Sequence, residues 1–177
     1  MPAAETLRAA LAEGQPIELL TPLTLLVPRA LYTGEHAAVA LFAADGRPLP
    51  ADARVMEATG SDADTVALLG LSAEAWEQLK ALCGDAEVHC TTPLLTPIEA
   101  SAPTVWICDT GRLLYIKVYE GGLQLAETIA VESEADRTYL LQRLAERIEL
   151  KRFVLRLEDR AANGRLYRNF FKKIVCE

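Results

Sequence analysis

The sequence predicts an α/β protein with a mixed sheet, and three observations carry that prediction. The run 104–129 reads as three strands joined by two tight turns, an antiparallel meander. A helical leucine pattern follows it, then a short alternating strand, then a second helical pattern. Ahead of the meander, short strands and capped helices alternate in the same way. The C-terminal order is therefore strand, strand, strand, helix, strand, helix. A crossover helix after a meander must cover one face of the sheet the meander begins.

Each element has a local reason. Residues 104–108 are β-branched, aromatic or small and carry no charge, which suits a buried strand. Asp109-Thr110-Gly111-Arg112 is a turn in which Gly111 can take positive φ. Residues 113–120 form the second strand, Gly121-Gly122 the next turn, and residues 123–129 the third strand. Ser133 caps a helix predicted to run to about Glu149. Leu140, Leu141, Leu144, Ala145 and Ile148 are expected on its buried stripe, with Arg137, Arg143 and Arg147 towards solvent. Phe153, Leu155 and Leu157 alternate on a fourth strand, residues 160–164 are a polar break, and Leu166, Tyr167, Phe170, Phe171 and Ile174 predict a last helix.

In the N-terminal part, residues 3–13 predict a helix ended by Gly14. Residues 17–20 and 23–27 predict strands around Thr21-Pro22, and residues 35–42 a helix. Arg54–Glu57 and residues 65–69 are strand candidates; the second is apolar throughout, which predicts cover on both faces. Ser72 can cap a helix over 73–82 with Trp76, Leu79 and Leu82 at helical spacing, residues 87–90 predict a short strand, and Thr92-Pro93 a helix start. Ala102-Pro103 marks the expected lobe boundary, giving lobes 1–102 and 103–177.

The totals exclude some functions. With 177 residues, 51% of them hydrophobic, the chain can bury a core in one large domain or two small lobes. A net charge of −7 argues against general affinity for a phosphate backbone or an anionic membrane. The first residues lack the basic start and apolar run of a secretory signal. The apolar segment 17–27 is broken by Pro22 and too short to span a bilayer, so the expected compartment is the cytoplasm. Cys83, Cys90, Cys108 and Cys176 form no C-x-x-C pair, and His89 and Cys90, adjacent on a strand, would point to opposite faces. Reduced thiols and no metal site are the expectation.

A meander followed by helix, strand and helix resembles the ribonuclease H-like unit, and two such units in tandem make the actin-like ATPase fold. More closely, the chain is similar to an uncharacterised bacterial family with that duplicated fold. The likeness rests on Leu23-Thr24-Leu25-Leu26-Val27-Pro28, His89 with Thr92-Pro93-Leu94-Leu95, and Gly122-Leu123 entering the third strand. It continues through Glu134-Ala135-Asp136 with Tyr139-Leu140-Leu141 and the closing residues 166–170. The resemblance implies a meander ahead of the first helix as well. Here the sequence opens at that helix, so a reduced first lobe is expected.

Candidate chemistry follows from the same resemblance. Actin-like ATPases hold nucleotide over Asp- and Gly-bearing hairpins, and Asp109 and Gly111 with Lys117 on the next strand resemble such a hairpin, with ATP and Mg²⁺ as the implied cofactors. A plain β-turn selects the same D-x-G residues, and no Gly-rich adenosine loop accompanies them. A ribonuclease H-like nuclease would need carboxylates converging on two metals about 4 Å apart. Asp109, Glu158 and Asp159 stand at strand ends where such enzymes place catalytic acids, with Asp136 or Glu146 as the helix-borne candidate. Glu127 falls among Leu123, Leu125 and Ile129 on one strand face, as a cleft residue or a rim position turned outward by a bulge. Arg160, Arg165, Arg168, Lys172 and Lys173 with Tyr167, Phe170 and Phe171 fit a nucleic-acid surface or, more simply, a helix with a solvated basic face. The sequence therefore reads first as a non-catalytic interaction or scaffolding protein with a protein partner and no cofactor. ATP binding is the alternative and metal-dependent nuclease activity the third reading.

Overall fold

The computed structural model describes residues 13–84 and 87–177. The chain divides into two compact units, Met1–Leu95 and Thr96–Glu177, so the division precedes the Ala102-Pro103 step. The helix expected over residues 3–13 lies, but for Glu13, outside the described residues.

The first unit holds β1 (Ile17–Glu18), β2 (Thr24–Pro28), α1 (Glu35–Ala44), β3 (Arg54–Glu57), β4 (Thr65–Leu71), α2 (Ala73–Cys83) and β5 (Cys90–Thr91). β4 lies between β2 and β3 in an antiparallel sheet, and β1 pairs with β5 in parallel. The apolar run of β4 is covered on both faces, as expected. Val66 and Leu68 join Leu25, Val27, Ala38 and Phe42; Ala67, Leu69 and Leu71 join Leu79, Cys83 and Cys90. The Ser72 hydroxyl caps α2 by accepting the Ala75 amide. The stripe of α2 differs from expectation: Leu79 and Cys83 are buried and Leu82 is exposed, because a three–four spacing from Trp76 selects 79 and 83. Of the expected strand 87–90 only Cys90 lies in β5, which runs on to Thr91, and Pro93 opens a single 3-10 turn, Pro93–Leu95.

The second unit contains β6 (Thr104–Asp109), β7 (Leu113–Tyr119), β8 (Leu123–Ala130), α3 (Glu134–Ala145), β9 (Val154–Asp159), α4 (Gly164–Tyr167) and β10 (Lys173–Cys176). The spatial order is β10-β9-β6-β7-β8. β6, β7 and β8 form the antiparallel meander, while β9 and β10 run parallel to β6. Val105, Ile107, Leu114, Ile116, Leu155 and Leu157 face the helices, and Leu141, Phe153, Tyr167 and Phe171 pack on them. The other face is also buried, through Trp106, Cys108, Tyr115 and Lys117.

Three expectations are corrected here. The last helix is one turn long, and the chain ends instead on β10: Phe171 packs into the sheet core while Ile174 and Cys176 pair with Leu155 and Leu157 of β9. α3 stops at Ala145 rather than near Glu149, although Ser133 caps it as expected and Asp136 completes a capping box. Arg137, expected in solvent, is buried. It stands four residues before Leu141 and seven before Leu144, on the buried stripe itself.

The loop from β9 to α4 turns at Ala162, which has φ 59°. An L side chain with a Cβ is strained there. Ala162→Gly is expected to stabilise the protein by about 0.5–1 kcal/mol, read as a higher denaturant midpoint at unchanged slope. An unchanged or lower midpoint would show that the left-handed turn carries no such strain.

Candidate functional site

The strand ends of β6 and β9 gather the carboxylates that the sequence singles out. Asp109 ends β6, is fully buried, and by register shares a face with Leu114 and Asp159. Burying a carboxylate is costly unless donors replace water, and here five hydrogen bonds do so. Oδ1 accepts from the Gly111 amide at 2.9 Å and from Arg137 Nη2 at 3.1 Å. Oδ2 accepts from Arg137 Nε, Asn163 Nδ2 and the Tyr167 hydroxyl, each at 2.9 Å. Burial by itself would raise the Asp109 pKa; Arg137, Asn163, the Gly111 amide and Tyr167 outweigh it and hold the group below the usual carboxylate range. The same contact with Asp109 raises Arg137, and burial with the Asp109 charge pushes the Tyr167 phenol up.

Arg137 is spent as fully as its partner. Besides gripping Asp109 with Nε and Nη2, it donates to the Ser133 and Gly111 carbonyls. Gly111, at φ 92°, thus has its amide on Asp109 and its carbonyl on Arg137. Its geometry serves the turn, and neither polar group is turned outward to cradle a phosphate.

Lys117 does not join this cluster. It pairs with Trp106 across β6 and β7, on the sheet face opposite Asp109. Its Nζ sits 4.7 Å from the Trp106 ring centroid and donates to the Thr96 carbonyl. Burial lowers its pKa to about 8, against a smaller opposing pull from Glu177. One phosphate could not touch Asp109, Gly111 and Lys117 together from opposite sides of a sheet.

The acids of the nuclease reading are also divided. Asp159 is beside Asp109, but its Oδ1 accepts the Ala161 and Asn163 amides and shapes the loop. Glu158 pairs with Cys108, on the other face, and its carboxylate is bound by Arg160. Asp136 is committed to the cap of α3, and Glu146 to an exposed ion pair with Arg143. The residue that α3 delivers to Asp109 is a cation, Arg137. Asp109's oxygens do not fit a divalent ion, because the chain's own donors already fill both of them.

Glu127 pairs regularly with Ile116 and shares its face with Leu125 and Ile129. A bulge places Gln124 between the Tyr119–Leu123 and Val118–Leu125 pairs, and moves Leu123, expected beside them, to the other face. The Glu127 side chain lines a cleft of about 240 Å³ whose other wall includes Arg143 and Arg147. Near the C-terminus Tyr167 and Phe171 are buried, while Arg165, Arg168, Lys172 and Lys173 are exposed. Cys83 and Cys90 are buried free thiols; burial raises both, Cys90 to about 11. His89 is half-buried beside the exposed Glu87. Among the described residues no group of three or more His, Cys, Asp or Glu is placed to hold a metal ion.

Sequence reasoning singled out Asp109 and Gly111 but missed Arg137, Asn163 and Tyr167 as their partners. The signal for Arg137 was its position on the leucine stripe. Asn163 and Tyr167 offered only spacings of four and eight residues from Asp159, too common a pattern to read.

No family model matches the sequence, and no curated protein matches it. A solved Bacteroides thetaiotaomicron protein with actin-like ATPase fold and unknown function superposes with a TM-score of 0.70 at 14% identity, covering 98% of this chain and 76% of that one. The chain has an actin-like ATPase fold. The cytoplasmic domain of EpsL, an inner membrane component of the type II secretion system of Vibrio cholerae, matches at a TM-score of 0.43 and 11% identity, over 98% of this chain and 70% of that domain. No helix among the described residues is long and apolar enough to cross a membrane.

Three outcomes follow for this chain. Arg137→Met leaves a buried carboxylate without its cation and is expected to cost about 3–5 kcal/mol in chemical denaturation. Replacing both Asp109 and Arg137 by apolar residues should cost less than the sum of the single changes. Additive losses would mean the pair does not act as a unit. For Lys117, the native form binds fewer protons than the unfolded chain between the lowered value of about 8 and the ordinary lysine range, so its contribution to stability must rise with pH there. Relative to Lys117→Met, the wild type should gain up to about 3 kcal/mol between pH 8 and 10.5; a flat difference would contradict the depressed pKa.

Proposed function

We propose that this chain is a non-catalytic protein-interaction module of the cytoplasm, built on an actin-like fold whose strand-end carboxylate has become an internal tie. The observation that carries this reading is the saturation of Asp109 by five donors from four segments of its unit. A carboxylate that orders metal or water for phosphate chemistry needs lone pairs directed outward. Arg137 occupies that place with a fixed positive charge. The placement of Lys117 and Glu158 on the opposite face supports the same reading, as do the buried thiols of Cys83 and Cys90 for a reducing compartment.

The test is direct. A nucleotide bound with a Kd near 50 µM would stabilise the native state by about 2.7 kcal/mol at 5 mM, a shift of several degrees. Thermal melts with and without Mg²⁺-ATP to that concentration should coincide, and a fluorescent oligonucleotide should stay intact in Mn²⁺. A concentration-dependent rise in melting temperature, or cleavage abolished by Asp159→Asn, would overturn the proposal.

A further inference from the structure

The groove beside the last strand names a class of partner. Between Asp159 and Glu177 the chain has five basic residues, Arg160, Arg165, Arg168, Lys172 and Lys173, and no acidic one. The remaining residues hold 13 basic against 25 acidic side chains, a net −12. Arg160 is tied to Glu158, whereas Arg165, Arg168, Lys172 and Lys173 are exposed. Within this basic patch lies a cleft of about 410 Å³. Leu157, Phe171 and Ile174 give it an apolar lining, Cys176 continues it along β10, and Arg168 and Lys172 stand at it.

The strand that forms one side of this cleft is open. β10 pairs with β9 alone among the described residues. The Glu177 amide donates to the Leu157 carbonyl, so by alternation the amides of Ile174 and Cys176 point away from β9. Their side chains pair with Leu155 and Leu157 on the helix side of the sheet, where the cleft lies. A strand added to this edge would lay every second side chain along the cleft.

We propose that β10 and its groove bind an extended acidic peptide by strand addition, with alternate apolar side chains over Leu157, Phe171 and Ile174 and carboxylates against Arg168 and Lys172. This rests on the interaction-module reading and names the partner that module takes. Charge decides for an acidic peptide over a nucleic acid. A short peptide feels the local patch within a screening length of about 8 Å, while a longer polyanion also meets the net −12 of the rest. Of the aromatic rings that could stack on bases, Tyr167 and Phe171 are buried and Phe170 is half-buried against the same core. Strand addition supplies affinity through the backbone, and the alternating pocket supplies selectivity.

The probe is a fluorescein-labelled peptide, Glu-Asp-Val-Glu-Ile-Asp-Leu-Glu, titrated with the full chain and followed by anisotropy. Saturable binding is expected, weakened roughly tenfold or more by Arg168→Glu with Lys172→Glu and by raising salt, and unaffected by Arg147→Glu, which lies outside this groove. Cys176→Pro removes an outward amide without touching the ladder to β9 and should also abolish binding. Hydrogen exchange at the Ile174 and Cys176 amides should slow when the peptide is present. No binding, or equal binding of a peptide with serine at its three apolar positions, overturns the assignment; so does tighter binding of a single-stranded oligonucleotide of equal charge. Self-association abolished by Cys176→Pro would give the edge to a second copy instead. Each of these failures leaves the nucleotide and cleavage assays untouched, so the two readings fail separately.

Discussion

The second unit is organised around a buried negative charge. Asp109 has no solvent to stabilise it, and every unit of compensation comes from the chain: a turn amide, a guanidinium, a side-chain amide and a phenol. Each donor belongs to a different segment, so satisfying one carboxylate fixes the hairpin after β6, the first turns of α3, the loop after β9 and the turn of α4. Such a pair is weak evidence of net stability, because desolvation offsets much of its attraction. Its physical consequence is specificity of arrangement. Any shift of α3 along the sheet would leave either Asp109 or Arg137 buried without its partner.

On the proposed reading, this use of the strand ends lets an actin-like topology stand apart from actin-like chemistry. Topology brings Asp109 and Asp159 side by side, as it would in any sheet with this strand order. What those carboxylates do depends on the residues facing them, and fold alone does not set that. Here the crossover helix brings arginine, and the following loop spends Asp159 on its own amides. On the opposite face the sheet buries a second charge, Lys117, by another means: an indole ring below it and a carbonyl ahead of it.

The meander was legible because its signals are local. Apolar β-branched runs, a D-x-G turn and a Gly-Gly turn each act over a few residues, and the observed strands begin where these signals place them. Arg137 was misread because a charged side chain on a helix is by default a solvated one; its fate depended on Asp109, 28 residues away. β10 was misread for another reason. Phe170, Phe171 and Ile174 fit helical spacing, and a four-residue strand is too short to show its own period against that. The bulge at Gln124 leaves no mark in the sequence, since it arises from how two strands fit each other.

The two open edges of the five-strand sheet are managed differently, and the difference bears on Glu127. β8 is long, with a half-exposed Leu125 and Ile129, and a flat edge of that kind invites pairing with other chains. Two features oppose it: the bulge at Gln124 breaks the regular ladder, and Glu127 places a carboxylate among apolar neighbours facing the helix. A strand laid against β8 would have to set its side chains beside that charge. An apolar one would bear the cost of desolvating it even with Arg143 and Arg147 on the cleft's other wall. β10 has neither device. Its protection is brevity and lysine, and an acidic partner turns that lysine into a contact. The sheet is therefore closed to indiscriminate pairing at one edge and selective at the other, and the inward carboxylate of β8 is as much a part of that selection as the basic groove of β10.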